Sequence, residues 1–185
     1  MQIASAIKIA IGASNDWELI TGASSDSTDT NFLGTVWLPW LHLTIPLGTV
    51  DGDSGSVGLG VNNWGVIVGG SGAVSVSQGV AYQHAFIWQN GQIQDLNTLI
   101  PANSPLTLNV AYAVSDTGIV AGLGTNAKGE THAFVLVPDW REQGQPFATA
   151  AQRPAAPGSA VRVQPGRRPS RRLARELIPS WPDRN

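Results

Sequence analysis

Cysteine is absent from this chain of 185 residues, which excludes disulfide staples and thiolate zinc sites. Cysteine-free chains occur in every compartment, so the absence does not place the protein. Charge is scarce as well: charged residues make up 13% of the chain, about half the roughly 25% usual in globular domains. Lys8 and Lys128 are the only lysines. Long apolar runs are missing too. The opening MQIASAIKIAIGAS has no basic start and is interrupted by Lys8, so neither a signal peptide nor a membrane span is expected. Residues that favour long helices give way to Gly, Val, Ser, Thr and Trp, a composition that favours strands joined by tight turns.

The small net charge of −2 hides two regions of opposite sign. Residues 1–140 carry two basic and ten acidic side chains, a balance of −8, whereas residues 141–185 carry nine Arg and three acids, a balance of +6. Seven of the twelve prolines also fall in the second region. This reads as a repeat-bearing domain, 1–140, followed by a Pro/Arg-rich tail, 141–185, expected to be mostly disordered, with a short helix at 171–178 capped by Ser170 and stopped by Pro179. The arginines lack interleaved aromatics, so no nucleic-acid partner is expected.

Within the first region the sequence repeats. Ala113–Gly122, AVSDTGIVAG, matches Gly60–Gly69, GVNNWGVIVG, at an offset of 53, and Gly12–Gly22, GASNDWELITG, is a weaker copy 47 residues earlier. His84-Ala85-Phe86 returns as His132-Ala133-Phe134, and LGTV at 47–50 is echoed by LNTL at 96–99. Three units follow, roughly 7–55, 56–108 and 109–138. An Asn or Asp followed two residues later by Gly, as in Asn63-Trp64-Gly65 and Asp116-Thr117-Gly118, suits a three-residue hairpin ending in a left-handed residue, and Asn90-Gly91 suits a two-residue hairpin. Four short antiparallel strands per unit is the plan of a propeller blade, and a β-solenoid is the alternative. The strand count expected is four, four and three. Closed propellers have four to eight blades, so about three units imply an incomplete ring, completed by other copies or by a larger parent chain.

These residues, VNNWGVIVG, HAFIWQNGQIQDLNTL, YAVSDTGIVAG and THAFVLVP, resemble the HAF-repeat family of bacterial repeat proteins. The second and third units fit its pattern; in the first, Leu33-Gly34-Thr35 stands in place of His-Ala-Phe, and Trp37 keeps the tryptophan. The resemblance implies an extracellular or cell-surface repeat protein; neither catalytic activity nor a cofactor is expected. Binding or adhesion through blade loops, to carbohydrate or another surface component, is the expected function; the alternatives are a structural spacer within a larger surface protein and a hydrolase using the 51–56 loop.

In a strand, side chains alternate faces. His84, Phe86 and Trp88 therefore share one face, with Ala85 and Ile87 on the other; His132, Phe134 and Leu136 share a face opposite Ala133 and Val135. Both faces of each blade are expected to be buried, with the histidines as internal fastenings hydrogen-bonded to turns near Asn62 or Asp116. A metal centre made of His84, His132 and Asp95 is not expected, because equivalent positions lie in different blades; His42 is out of register with both. GDSGS at 52–56 resembles a serine-protease nucleophile segment, but the triad partners for Ser54 are not evident. Asp51 and Asp53 offer oxygen ligands, yet Ser56 and Asn62 stand where a calcium loop needs Gly and Glu. GLGTNA at 122–127 is followed by a strand, not the helix a dinucleotide fingerprint needs. Trp17 and Trp64, at equivalent turn positions, are the residues best placed for ligand contact, with Asp51 and Asp53 as further candidates.

Overall fold

A computed structural model describes residues 12–25, 30–75 and 79–138. The start of the first unit, the 141–185 tail and the helix expected at 171–178 lie outside the described residues. What is described is all-β: ten strands in three antiparallel sheets. The first sheet holds β1 (Ile20–Ser25), β2 (Phe32–Leu38) and β3 (Leu43–Gly48) in that order. The second runs β4 (Gly55–Val61), β5 (Ile67–Ser75), β6 (Gly79–Gln89) and β7 (Gln92–Asp95). The third holds β8 (Leu106–Val114), β9 (Val120–Asn126) and β10 (Thr131–Leu136). Each sheet is a meander, as hairpin-linked antiparallel strands require. The first has three named strands where four were expected, with Ser14 bridged to Ile20 on the side where the remaining strand would lie.

The second sheet sits between the other two, and its side-chain alternation decides what meets what. On one face, Ile67, Phe86 and Trp88 pack with Leu19, Val36, Leu38 and Leu47 of the first unit. On the other, Val68, Ala85, Ile87 and Leu96 pack with Leu108, Ala111, Val120 and Phe134. Val57 and Val74 close a third cluster against Ala23 and Phe32. Phe86 and Leu96 are fully buried; each such side chain contributes roughly 1.5–3 kcal/mol.

The recurring Phe has a specific job. Phe86 is paired with Gly69, and Phe134 with Gly122. Each aromatic ring folds over its paired glycine: a Cβ at Gly69 would lie 2.8 Å from Phe86 Cζ, and one at Gly122 would lie 2.6 Å from Phe134 Cζ. The ring, together with a backbone carbonyl of the adjoining strand (Val57 beside Gly69, Val110 beside Gly122), takes the space a side chain would use. In the first sheet Gly22 pairs with Thr35, so threonine stands where the phenylalanine belongs. The middle residue is small in every unit: Gly34, Ala85 and Ala133. A Cβ at Gly34 would lie 2.9 Å from Ser56 Oγ on the second sheet, so this position sets how closely the next sheet approaches.

The expectation of two buried faces fails for the third sheet, whereas the centre of the first sheet is buried on both, with Val36 on one face and Thr35 on the other 1% exposed. Val135 and Val137 of the third unit are 63% and 65% exposed, because no described sheet covers that side. Gly69→Ala should destabilise the fold by about 2–3 kcal/mol, as overpacking does, and Phe86→Ala by about 3–5 kcal/mol. Denaturant unfolding of each variant checks both values.

Candidate functional site

The polar turns at one end of the sheets concentrate most of the unusual side chains. Each is the three-residue hairpin expected. The amide of Gly65 donates to the Asn62 carbonyl at 3.1 Å, and the amide of Asn62 to the Val66 carbonyl at 3.0 Å. Gly118 and Ser115 repeat this at 3.0 and 2.9 Å, and Glu18 and Asn15 at 3.0 and 3.2 Å. Gly65 and Gly118 take left-handed φ values of 75° and 80°, and Glu18 takes 58°. That conformation costs a residue with a Cβ more than it costs glycine. Asn90 and Gly91 form the other expected hairpin, with φ of 53° and 78°.

Within each turn one side chain holds the loop. Asn62 Oδ1 accepts from the amides of Trp64 and Val66, at 3.0 and 2.9 Å. Asn15 Oδ1 does the same for Trp17 and Leu19, both at 3.0 Å. In the third turn Ser115 Oγ accepts from the Ile119 amide at 3.0 Å and shares a hydrogen bond with Thr117 Oγ1 at 2.9 Å.

The same asparagines also join turn to turn. Asn15 Nδ2 donates to the Asn62 carbonyl at 2.8 Å, and Asn62 Nδ2 to the Ser115 carbonyl at 3.0 Å. One residue further on, the amide of Asp16 donates to Asn63 Oδ1 at 3.0 Å, and that of Asn63 to Asp116 Oδ1 at 2.8 Å. Asn63 Nδ2 lies between the carboxylates of Asp16 and Asp116, donating to both, at 3.0 and 3.1 Å. Trp64 Nε1 donates to the Asp116 carbonyl at 3.1 Å. The three turns thus form a directional polar row along the sheet stack. The row was not foreseen. Its signal was in the sequence: the Asn, Asn and Ser at 15, 62 and 115 are spaced at the repeat offsets themselves.

Of the predicted contact residues, Trp17 is half-buried against the first core cluster, and Trp64 is 38% exposed with its indole N–H already engaged. Asp53 is not a free oxygen ligand. Its side chain is 4% exposed and meets His84 Nδ1 at 2.9 Å. This corrects the expected partner of His84: the histidine fastens β6 to the connector between the first two sheets, not to the turns at Asn62 or Asp116. His132 departs further. Its side chain is half exposed and meets Asn126 Nδ2 at 3.1 Å. The connector before the third sheet, residues 100–105, carries no acid to play the part of Asp53. Asp51 is exposed.

Asp53, next to Ser54 in the chain, and His84 pair as the acid and base of a hydrolytic triad would. Ser54 Oγ, however, donates to the Gly72 carbonyl at 3.4 Å. Asp95 caps the following 3₁₀ turn, Leu96–Leu99, accepting from the Asn97 amide at 2.8 Å. Asn97 in turn clamps Leu108 of β8, accepting from its amide at 2.7 Å and donating to its carbonyl at 2.9 Å. The LNTL echo is therefore a clamp between the second and third sheets. Among the described residues no three His, Asp or Glu side chains gather to hold a metal ion, and no helix is long and apolar enough to cross a membrane.

Comparison of the chain with protein-family models, curated proteins and solved structures finds no match.

Two outcomes follow from this geometry. Asn62→Asp keeps the oxygen that holds the turn but sets a carboxylate against the Ser115 carbonyl, so it should destabilise the fold by about 2–3 kcal/mol. Asn63→Ala, in the more exposed row, should cost about 1 kcal/mol; chemical denaturation ranks the pair. Tyr82 supplies a pH test. Burial first, and the charge Tyr112 would carry second, raise its phenol above the ordinary 10.0. The folded chain then keeps this proton to higher pH than the unfolded chain. The contribution to stability is complete below pH 10 and is lost as pH climbs through the raised value. Thermal melts should fall above pH 10, less steeply in Tyr82→Phe.

Proposed function

We propose that this chain is a non-enzymatic repeat scaffold: an open stack of blade-like sheets from an extracellular or cell-surface protein, serving as a spacer that holds neighbouring parts in fixed register. One observation carries the reading. The side chains of the turn row, the residues best suited to meeting a ligand, spend their donors and acceptors on one another across successive sheets. Asn62 is 4% exposed, and both ends of its amide are engaged within the fold. The three sheets among the described residues are fewer than the four to eight blades of a closed propeller, and an open stack needs no ring. The surface location rests on the HAF-repeat resemblance.

A second reading, carbohydrate binding through the turns, draws on the 38% exposure of Trp64, since a partly open indole face suits stacking against a sugar ring. A glycan array and a pull-down on bacterial cell-wall material separate the two. The scaffold reading expects no retention of the full chain. Retention that Trp64→Ala abolishes, while the melting temperature stays within a few degrees of the parent, would establish the binding reading instead. Hydrolysis by Ser54 is tested on the same preparation: the parent and Ser54→Ala should be equally inactive on esters, peptides and glycosides.

A further inference from the structure

Among the described strands that end a sheet, β10 is the one with an unguarded edge. It pairs with β9 in unbroken register, from Thr131↔Thr125 to Leu136↔Val120, and no described strand pairs with its other side. An open strand edge presents a row of unpaired amides and carbonyls, and proteins ordinarily blunt it with a bulge, a charge, a proline or a very short strand. The other end strands each carry such a device. β3 has Pro46 and a register shift against β2. β4 is shifted against its neighbour at Gly58/Gly60, and β8 at both Leu108/Val110 and Ala111/Ala113. β7 is four residues long and ends in Asp95, and β1 is bridged through Ile20 to Ser14. Residues 131–137, THAFVLV, contain no Asp, Glu, Lys, Arg or Pro.

The second sheet shows what such an edge takes. Phe134 faces Gly122 as Phe86 faces Gly69, so positions 134–137 correspond to 86–89. Over 86–89, β6 is paired antiparallel by β7, from Phe86↔Asp95 to Gln89↔Gln92. Leu96, directly after β7, is fully buried in the cluster that holds Ala85 and Ile87. Their counterparts Ala133 and Val135 are exposed, a leucine seat without its leucine. β7 is delivered by a two-residue hairpin with φ of 53° at Asn90 and 78° at Gly91. Pro138 stands in the place of Asn90. Its ring fixes φ at about −65°, so that hairpin is closed to the third unit. The residues that follow, 139–185, contain no Asp-Leu step like Asp95-Leu96. We propose that the free edge of β10 is a strand-acceptor site. It binds, in trans and antiparallel, an extended segment of another protein with the β7 pattern, Ile-x-Asp-Leu. Main-chain hydrogen bonds supply the affinity and the leucine seat the selectivity, as in strand addition to other sheet edges.

The full chain and a labelled peptide of residues 91–99, GQIQDLNTL, test this directly. Fluorescence anisotropy should show saturable binding. A charge placed on the edge by Val135→Lys should weaken it roughly tenfold or more, with the melting temperature within a few degrees of the parent. Leu96→Lys in the peptide should do the same to the unaltered chain, which keeps the test open should Val135→Lys disturb the fold. The chain contains no cysteine, so register can be read by cross-linking. Val137→Cys should form a disulfide with a peptide carrying Gln92→Cys, its partner in the β7 register, and not with one carrying Thr98→Cys. Absence of saturable binding up to the solubility limit of the peptide overturns the proposal, as does binding that both lysine variants leave unchanged. Two other results give the edge to a different occupant and overturn it equally. One is slow exchange at every amide of 131–137 in the chain alone, the sign that its own tail pairs there, since an open edge leaves alternate amides fast. The other is a dimer that Val135→Lys dissolves, the sign of a second copy. The scaffold reading concerns contacts within one chain and stands under any of these results.

Discussion

Face-to-face stacking of short sheets imposes one requirement above the others: where hairpin turns are brought against one another, every backbone group withdrawn from water must find a partner. Here the requirement is met by asparagine. A side-chain amide offers an acceptor and two donors on one planar group. Asn62 uses its oxygen to close its own turn and its nitrogen to reach the Ser115 carbonyl in the next. The shorter serine at 115 closes its own turn through Ile119 and hydrogen-bonds Thr117 of the same turn. The local fold of the hairpin and the register of the sheets are therefore one and the same interaction, and a residue chosen for turn geometry also sets where the next unit sits.

The apolar core follows from that register. Once the turns are aligned, Phe86 and Phe134 fall over Gly69 and Gly122, and the small Gly34 and Ala85 let the next sheet approach. The His-Ala-Phe triplet is thus three separate solutions that happen to be adjacent. The phenylalanine covers a glycine on its own sheet, the alanine makes room for the neighbour, and the histidine reaches a connector when that connector supplies an acid. Only the second unit has all three, through Asp53. The first replaces the triplet with Leu33-Gly34-Thr35, keeping only the small residue; the third keeps the triplet, but its connector offers no acid, and the carboxylate near His132 is Glu130 of its own hairpin, at 3.9 Å.

The parts legible from the sequence were those set by local rules. Period-two alternation placed Phe86 and Trp88 opposite Ala85 and Ile87, and the left-handed glycine positions placed the hairpins. The partner of His84 was not legible: Asp53 lies 31 residues away and comes within reach only after the sheets have stacked. The row of asparagines was visible as repeated letters, but turn-forming residues such as Asn recur for local reasons alone, and nothing in one dimension separates a turn former from a turn former that also bridges. The exposed face of the third sheet was hidden by a different cause. Its residues follow the same alternation as those of the buried second sheet, and alternation reports which residues share a side without reporting whether anything covers it.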